Sequence, residues 1–146
     1  IGYDPLIPAD ELQRRGAKPV TMDELLAEAD IITMHIPLTA DSKNMLNADA
    51  FGKMKQGVYL VCAARGGVID EEALLAALES GKVAGAGLDV FATEPPGLTA
   101  LVSHPRVVCT PHIGAQTVEA QERAAVDISS EVLAGLRGDA LRWRVA

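Results

Sequence analysis

The sequence predicts an α/β fold, a doubly wound parallel sheet with helices on its faces. Short apolar runs alternate with segments of helical periodicity along the whole chain, the pattern of βαβ units. The apolar runs are continuous rather than alternating, as in 31–36 and Val58–Cys62, which suits parallel strands covered on both sides. Helix-start and helix-stop residues flank the periodic segments.

The elements follow in order. Ile1-Gly2-Tyr3 reads as the tail of a strand whose beginning lies upstream, ending at Asp4-Pro5. Pro8 suits the first turn of a helix over 9–15, with Gly16 at its C′ position. Residues 18–20 form a candidate short strand. Thr21 and Glu24 have capping-box spacing, with Val20 and Leu25 as the staple, and open a helix from Met22 to about Ala29. The run 31–36 is a strand stopped by Pro37. Asn47 caps a short helix through Met54, with Gly57 after it.

Val58–Cys62 is the next strand. Asp70 caps a helix whose stripe is Leu74, Leu75 and Leu78, and Glu71 and Glu72 suit the positive end of its dipole. The run 83–90 is a strand in which Gly85 and Gly87 suggest close backbone packing. A proline-containing loop leads to a last strand at Val107–Cys109. A long helix then spans about 117–136, within a 116–137 segment closed by Gly138, with Ala125, Ile128, Val132 and Leu136 at helical spacing. The whole is a Rossmann-type doubly wound sheet.

Composition bounds the function. The 146 residues are 49% apolar but only 3% aromatic, so Ala, Val, Leu and Ile must build the core. A net charge of -7 argues against nucleic acid or an acidic membrane surface as a partner. No apolar run approaches the ~20 residues that span a bilayer. Cys62 and Cys109 both sit in apolar runs, where reduced core thiols are expected, with the cytoplasm as the default compartment. The three histidines lack metal-ligand spacing and neither cysteine has a second one nearby, so no metal site is expected.

The residues with chemical potential fall at strand ends, where open α/β sheets bind ligands. Asp4 is either a turn aspartate before Pro5 or an acceptor for an adenosine ribose; no Gly-x-Gly-x-x-Gly precedes it in the sequence. Arg65 follows strand Val58–Cys62 beside Gly66 and Gly67, either as a surface arginine or as a planar fork for a carboxylate or phosphate. Asp89, in so apolar a run, needs a partner, because an unpaired buried charge is expensive. His112, between Pro111 and Gly114, is either a structural histidine or, with Glu94, an acid–base pair. A carboxylate beside an imidazole orients it and favours its protonated form. His35 is expected to pack or bond backbone from a strand, and His104 to lie in an exposed loop.

Assembled, these stretches resemble the D-isomer-specific 2-hydroxyacid dehydrogenases. The matching runs are Ile1-Gly-Tyr-Asp-Pro5, Ala29-Asp-Ile-Ile-Thr-Met-His-Ile-Pro-Leu-Thr39, Met54-Lys-Gln-Gly57, Ala64-Arg-Gly-Gly-Val-Ile-Asp70, Gly87-Leu-Asp-Val-Phe-Ala-Thr-Glu-Pro95 and Thr110-Pro-His-Ile-Gly-Ala115. The resemblance implies NAD as cofactor, a small 2-hydroxy or 2-oxo acid as substrate, and a homo-oligomer of two or more copies. It implies that Asp4 holds the adenosine ribose and that Ile36 and Pro37 line the adenine side. Ala63, Ala64 and Arg65 would lie near the nicotinamide, with Arg65 also binding the substrate carboxylate. Asp89 would lie near the nicotinamide, Glu94 and His112 would be the acid–base pair, His112 would also border the cofactor, and Gly114 and Ala115 would offer backbone contacts to it.

The chain departs from the family at three places. Cys62 stands where many relatives have Asn, and the tail from Leu141 to Ala146 lacks the Asn-containing segment of many relatives. The first βα unit and the substrate domain are missing, so the chain is expected to be the C-terminal part of a dinucleotide-binding domain. A non-enzymatic NAD-sensing corepressor on the same fold is the rival from another class.

Overall fold

The computed structural model describes residues 1–144, so the last two residues of the 141–146 tail lie outside it. The elements are α1 (Ala9–Arg14), α2 (Met22–Glu28), β1 (Ile31–Met34), α3 (Ala48–Lys53), β2 (Val58–Cys62), α4 (Glu71–Glu79), β3 (Val83–Leu88), β4 (Val107–Cys109) and α5 (Val118–Arg137). They divide into one unit over Ile1–His112 and a second from Ile113 onward.

In the first unit, β1 to β4 form one parallel sheet in chain order. Local chemistry sets the helices between the strands. Thr21 and Glu24 close the capping box of α2, Asn47 accepts from the Ala50 amide to cap α3, and Asp70 accepts from Glu72 and Ala73 to cap α4. Each replaces an amide partner that the first helical turn lacks. Ile32, Met34, Val58, Leu60, Cys62, Val83, Ala86 and Leu88 of the sheet are buried against Leu26, Phe51, Leu74 and Leu78 of the helices.

Two strands are shorter than the sequence predicts. β1 stops at Met34 rather than Ile36, and β3 stops at Leu88 rather than Val90. In both cases the apolar run outlasts the ladder. His35 therefore lies beyond the strand, exposed, with Nε2 2.7 Å from Thr33 Oγ1. His104 is half-buried rather than exposed, and its Nδ1 accepts from the Arg106 amide at 3.2 Å. The candidate strand at 18–20 is reduced to one parallel bridge between Gly2 and Pro19.

The Rossmann-type α/β class stands, but coverage on both sheet faces does not hold within these residues. Burial alternates as BeBeB along β2, and Ile31, Tyr59, Val61 and Val108 remain exposed. Crossovers between parallel strands share one hand as a rule, so four such strands in chain order have their connecting helices on one side. Gly85 does pack closely, since an added Cβ would lie 3.2 Å from the Tyr59 ring.

The second unit is dominated by α5. Thr117 caps it and Gly138, at φ 75°, ends it in the left-handed region that favours glycine. None of its residues is buried, and Ile128, Val132 and Leu136 of the predicted stripe are exposed. After the helix, the Glu131 carboxylate accepts from the Arg142 and Trp143 amides at 3.0 and 3.3 Å.

Candidate functional site

The sheet register determines which side chains emerge together. Met34, Cys62, Leu88 and Cys109, the last residues of the four strands, are aligned partner to partner in one row. The residues just beyond that row are His35, Ala63, Asp89 and Thr110. Every predicted position from Ile36 to His112 therefore leaves the carboxyl edge of one parallel sheet, where ligands bind in open α/β folds.

Beyond β3 and β4 a cleft of about 410 Å³ is lined by Asp89, Phe91, Glu94, Cys109, Thr110 and His112, among others. His112 Nδ1 lies 2.8 Å from Glu94 Oε2. The other carboxylate oxygen, Oε1, accepts from the Phe91 amide at 3.0 Å. These contacts, the His112 hydrogen bond foremost, hold the Glu94 carboxyl below its ordinary value. An ionised carboxylate can only accept, so Nδ1 carries the hydrogen and Nε2 keeps its lone pair while the ring is neutral. His112 has φ 54°, and the Glu94–Pro95 peptide is cis.

Asp89 has the partner its burial demands. Its side chain accepts from Thr110 Oγ1 at 2.5 Å, and its amide donates to the Cys62 carbonyl at 2.9 Å. The Thr110 amide donates back to the Leu88 carbonyl, so the end of β3 with Asp89 just beyond it and the loop carrying His112 are stitched at two points. Thr110 was not among the predicted site residues, although it begins the Thr-Pro-His run. Burial pushes the Cys62 thiol up, and to a lesser extent of exposure Cys109 is half-buried and pushed the same way.

Arg65 stands apart from that cleft. It is exposed, and its Nη1 donates to the Ala64 carbonyl at 2.7 Å. Among the described residues it makes no ion pair, leaving further guanidinium donors uncommitted. It lines a second cleft of about 500 Å³ with Ile36, Pro37, Ala63 and Ala64. Asp4 lines a third, of about 710 Å³, with Tyr3, Ile7, Pro19 and Val20. The Leu6 amide donates to Asp4 Oδ1 at 2.8 Å, so the turn reading of Asp4 is real and occupies one of its oxygens. Gly114 and Ala115 belong to the second unit and are exposed.

Comparison with known proteins shows the family of the chain. The model of the family described as "D-isomer specific 2-hydroxyacid dehydrogenase, NAD binding domain" matches residues 1–114. The chain is 50% identical over 136 residues to D-3-phosphoglycerate dehydrogenase of Bacillus subtilis, covering 93% of this chain and 26% of that protein. It thus spans about a quarter of that relative's length. Among solved structures it is similar to a D-lactate dehydrogenase from Treponema pallidum, with TM-score 0.91 and 36% identity over 99% of this chain and 47% of that one. A glyoxylate reductase from Paecilomyes thermophila aligns with TM-score 0.86 and 38% identity over 95% of this chain and 42% of that one. The chain belongs to the NAD-binding domain family of the D-isomer-specific 2-hydroxyacid dehydrogenases.

Proposed function

We propose that the protein carrying this chain is an NAD-dependent dehydrogenase that oxidises D-3-phosphoglycerate to 3-phosphohydroxypyruvate, the reaction that opens serine synthesis. The observation that carries the chemistry is the Glu94–His112 pair, 2.8 Å apart in a cleft at the carboxyl edge of the sheet. The substrate rests on the 50% identity to the Bacillus subtilis enzyme of that name.

The described residues fit the two ends of the cofactor. Asp4 offers a carboxylate oxygen to a ribose diol in a roomy cleft. Ile36 and Pro37 offer apolar walls, and Ala63 and Ala64 leave space beside Arg65. When bound, the nicotinamide supplies the hydride chemistry. Arg65 would hold the substrate carboxylate with a planar pair of N–H groups. His112 Nε2 would take the hydroxyl proton during oxidation and return it during reduction, while Glu94 keeps Nδ1 protonated and the ring oriented. Asp89, tied to Thr110, would border the nicotinamide, and Gly114 and Ala115 would add backbone contacts. A homo-oligomer and a cytoplasmic location complete the reading; two free cysteines suit a reducing compartment.

Steady-state NAD reduction at full natural length tests it, with D-3-phosphoglycerate, D-lactate, D-glycerate and glycolate compared by kcat/KM. Preference for the phosphorylated acid is expected. The similarity to a glyoxylate reductase favours a second reading, a glyoxylate or hydroxypyruvate reductase, which preference for the unphosphorylated acids would establish. NAD binding without turnover on any acid would replace both by a non-enzymatic NAD sensor.

A further inference from the structure

Arg65 and the Glu94–His112 pair line different clefts, yet their loops share a peptide. A Cβ added to Gly66 would lie 1.8 Å from the Phe91 carbonyl oxygen, 2.2 Å from its carbon and 2.8 Å from the Ala92 nitrogen. Only a residue without a side chain lets the Arg65 turn rest against the Phe91–Ala92 peptide. The segment carrying that peptide is held at two successive amides. Phe91 N–H donates to Glu94 Oε1 at 3.0 Å, and Ala92 N–H donates to Glu71 Oε1 at 2.6 Å. Glu94 then reaches His112 through its second oxygen. A continuous path runs from the arginine turn to the histidine.

Glu71 is the part of this path fixed to something rigid. It is the first residue of α4, which Asp70 caps and which fully buried Leu74 and Leu78 fasten to the sheet. Ala92 is exposed, so its amide could be satisfied by water and needs no carboxylate on desolvation grounds. A negative charge at a helix start is favourable in itself, but neighbouring Glu72 would serve that purpose without reaching across 21 residues of sequence.

We propose that Glu71 is a positioning residue whose bond to the Ala92 amide seats the Phe91–Ala92 peptide on Gly66 and so sets the spacing between Arg65 and the Glu94–His112 pair. The functional half rests on the reading above, since that spacing is what a 2-oxo acid held by Arg65 and protonated by His112 would span. Glu71 acts through the peptide and touches no reacting atom.

Three variants at full natural length test it. Glu71→Ala removes the acceptor, Glu71→Asp keeps the charge but falls short by one methylene, and Glu71→Gln keeps the reach and an acceptor oxygen. Amide hydrogen exchange of the segment around Ala92 should quicken about 10- to 100-fold in the Ala and Asp variants, the scale of one charge-assisted hydrogen bond. kcat should fall about 10- to 100-fold, as displacement of a catalytic group by about 1 Å does, with NAD affinity unchanged. The Gln variant should restore both. Unchanged exchange in Ala and Asp variants, a Gln variant as impaired as Ala, or faster exchange with unchanged kcat would each overturn the proposal. If Glu71→Ala does not fold, the Asp and Gln pair still decides it. Absence of turnover in the unmodified protein would sink the dehydrogenase reading instead, and the exchange rates alone would then decide whether Glu71 anchors the peptide.

Discussion

His112 has φ 54°, a left-handed value that non-glycine residues seldom adopt. Such outliers persist where surrounding contacts over-determine them, and they gather at functional sites. Here the contacts are Glu94 on the ring and the Thr110–Asp89 stitch just before it. Replacing His112 with Ala at full natural length should slow turnover by about 10² to 10⁴, the usual worth of acid–base help; near-normal turnover would remove His112 from the reaction. Glu94 gives a pH signature. Its carboxyl is held below the ordinary 4.5, by the His112 hydrogen bond first and the Phe91 amide second. A folded value below the unfolded one stabilises the fold above the unfolded value, and that stability is lost as pH falls through the folded one. Urea unfolding below pH 4.5 should therefore show an acid-dependent loss that is smaller in Glu94→Gln than in the natural sequence, Glu24 and Glu119, also held low, accounting for part of what remains. Gly66 makes a simpler case. It does not occupy the left-handed region, so Gly66→Ala fails only on space, against backbone atoms that cannot swing aside. A cost of about 3 kcal/mol or more is expected in the same unfolding measurement.

Helix starts were legible because they are local. Thr21 with Glu24, Asn47 and Asp70 each cap the helix the sequence assigned them, since a cap needs only its own next three residues. Strand ends were less legible, because a ladder stops where its partner stops, and partners lie 20 or more residues away in register. Asp89 thus falls just beyond β3 instead of within it, at the carboxyl edge of the sheet. Glu71 was invisible as anything but a first-turn acid, and Thr110 as anything but part of a motif, because their partners Ala92 and Asp89 are each 21 residues distant. α4 shows how local and distant terms combine. Asp70→Ala should cost about 1 kcal/mol, the worth of a cap, whereas Leu74→Ala, at 0% exposure, should cost about 3 kcal/mol through the cavity left behind. Chemical denaturation with an unchanged m-value would check both; an Asp70 effect equal to that of Leu74 would mean that the cap supports more than its helix.

At the scale of the molecule, the sheet combines a finished face with an unfinished one. One face is closed by α2, α3 and α4, while Ile31, Tyr59, Val61 and Val108 on the other are 66%, 53%, 43% and 70% exposed. The apolar continuity of the strands suggested two covered faces, and that inference reads hydrophobicity, which the sequence displays, as contact, which it does not. The same distinction governs cofactor binding. On the proposed reading, the clefts at Asp4, at Ile36 to Arg65 and at Glu94 to His112 would address the sugar, ring and reacting ends of a dinucleotide. The pyrophosphate between them is ordinarily held by a Gly-x-Gly-x-x-Gly turn at a helix N-terminus, and these 146 residues contain no such run. With a net charge of -7, the 146-residue chain by itself would meet a dianionic pyrophosphate with no dedicated amide cradle and an unfavourable overall field. The hydrogen bonds of a ribose and the burial of a nicotinamide must then offset the cost of association alone. Isothermal calorimetry on the 146-residue chain should accordingly detect NAD binding weaker than about 1 mM, or none, while the protein at full natural length binds it well. Micromolar affinity in the short chain, about -8 kcal/mol, would mean that the three clefts suffice without a phosphate loop.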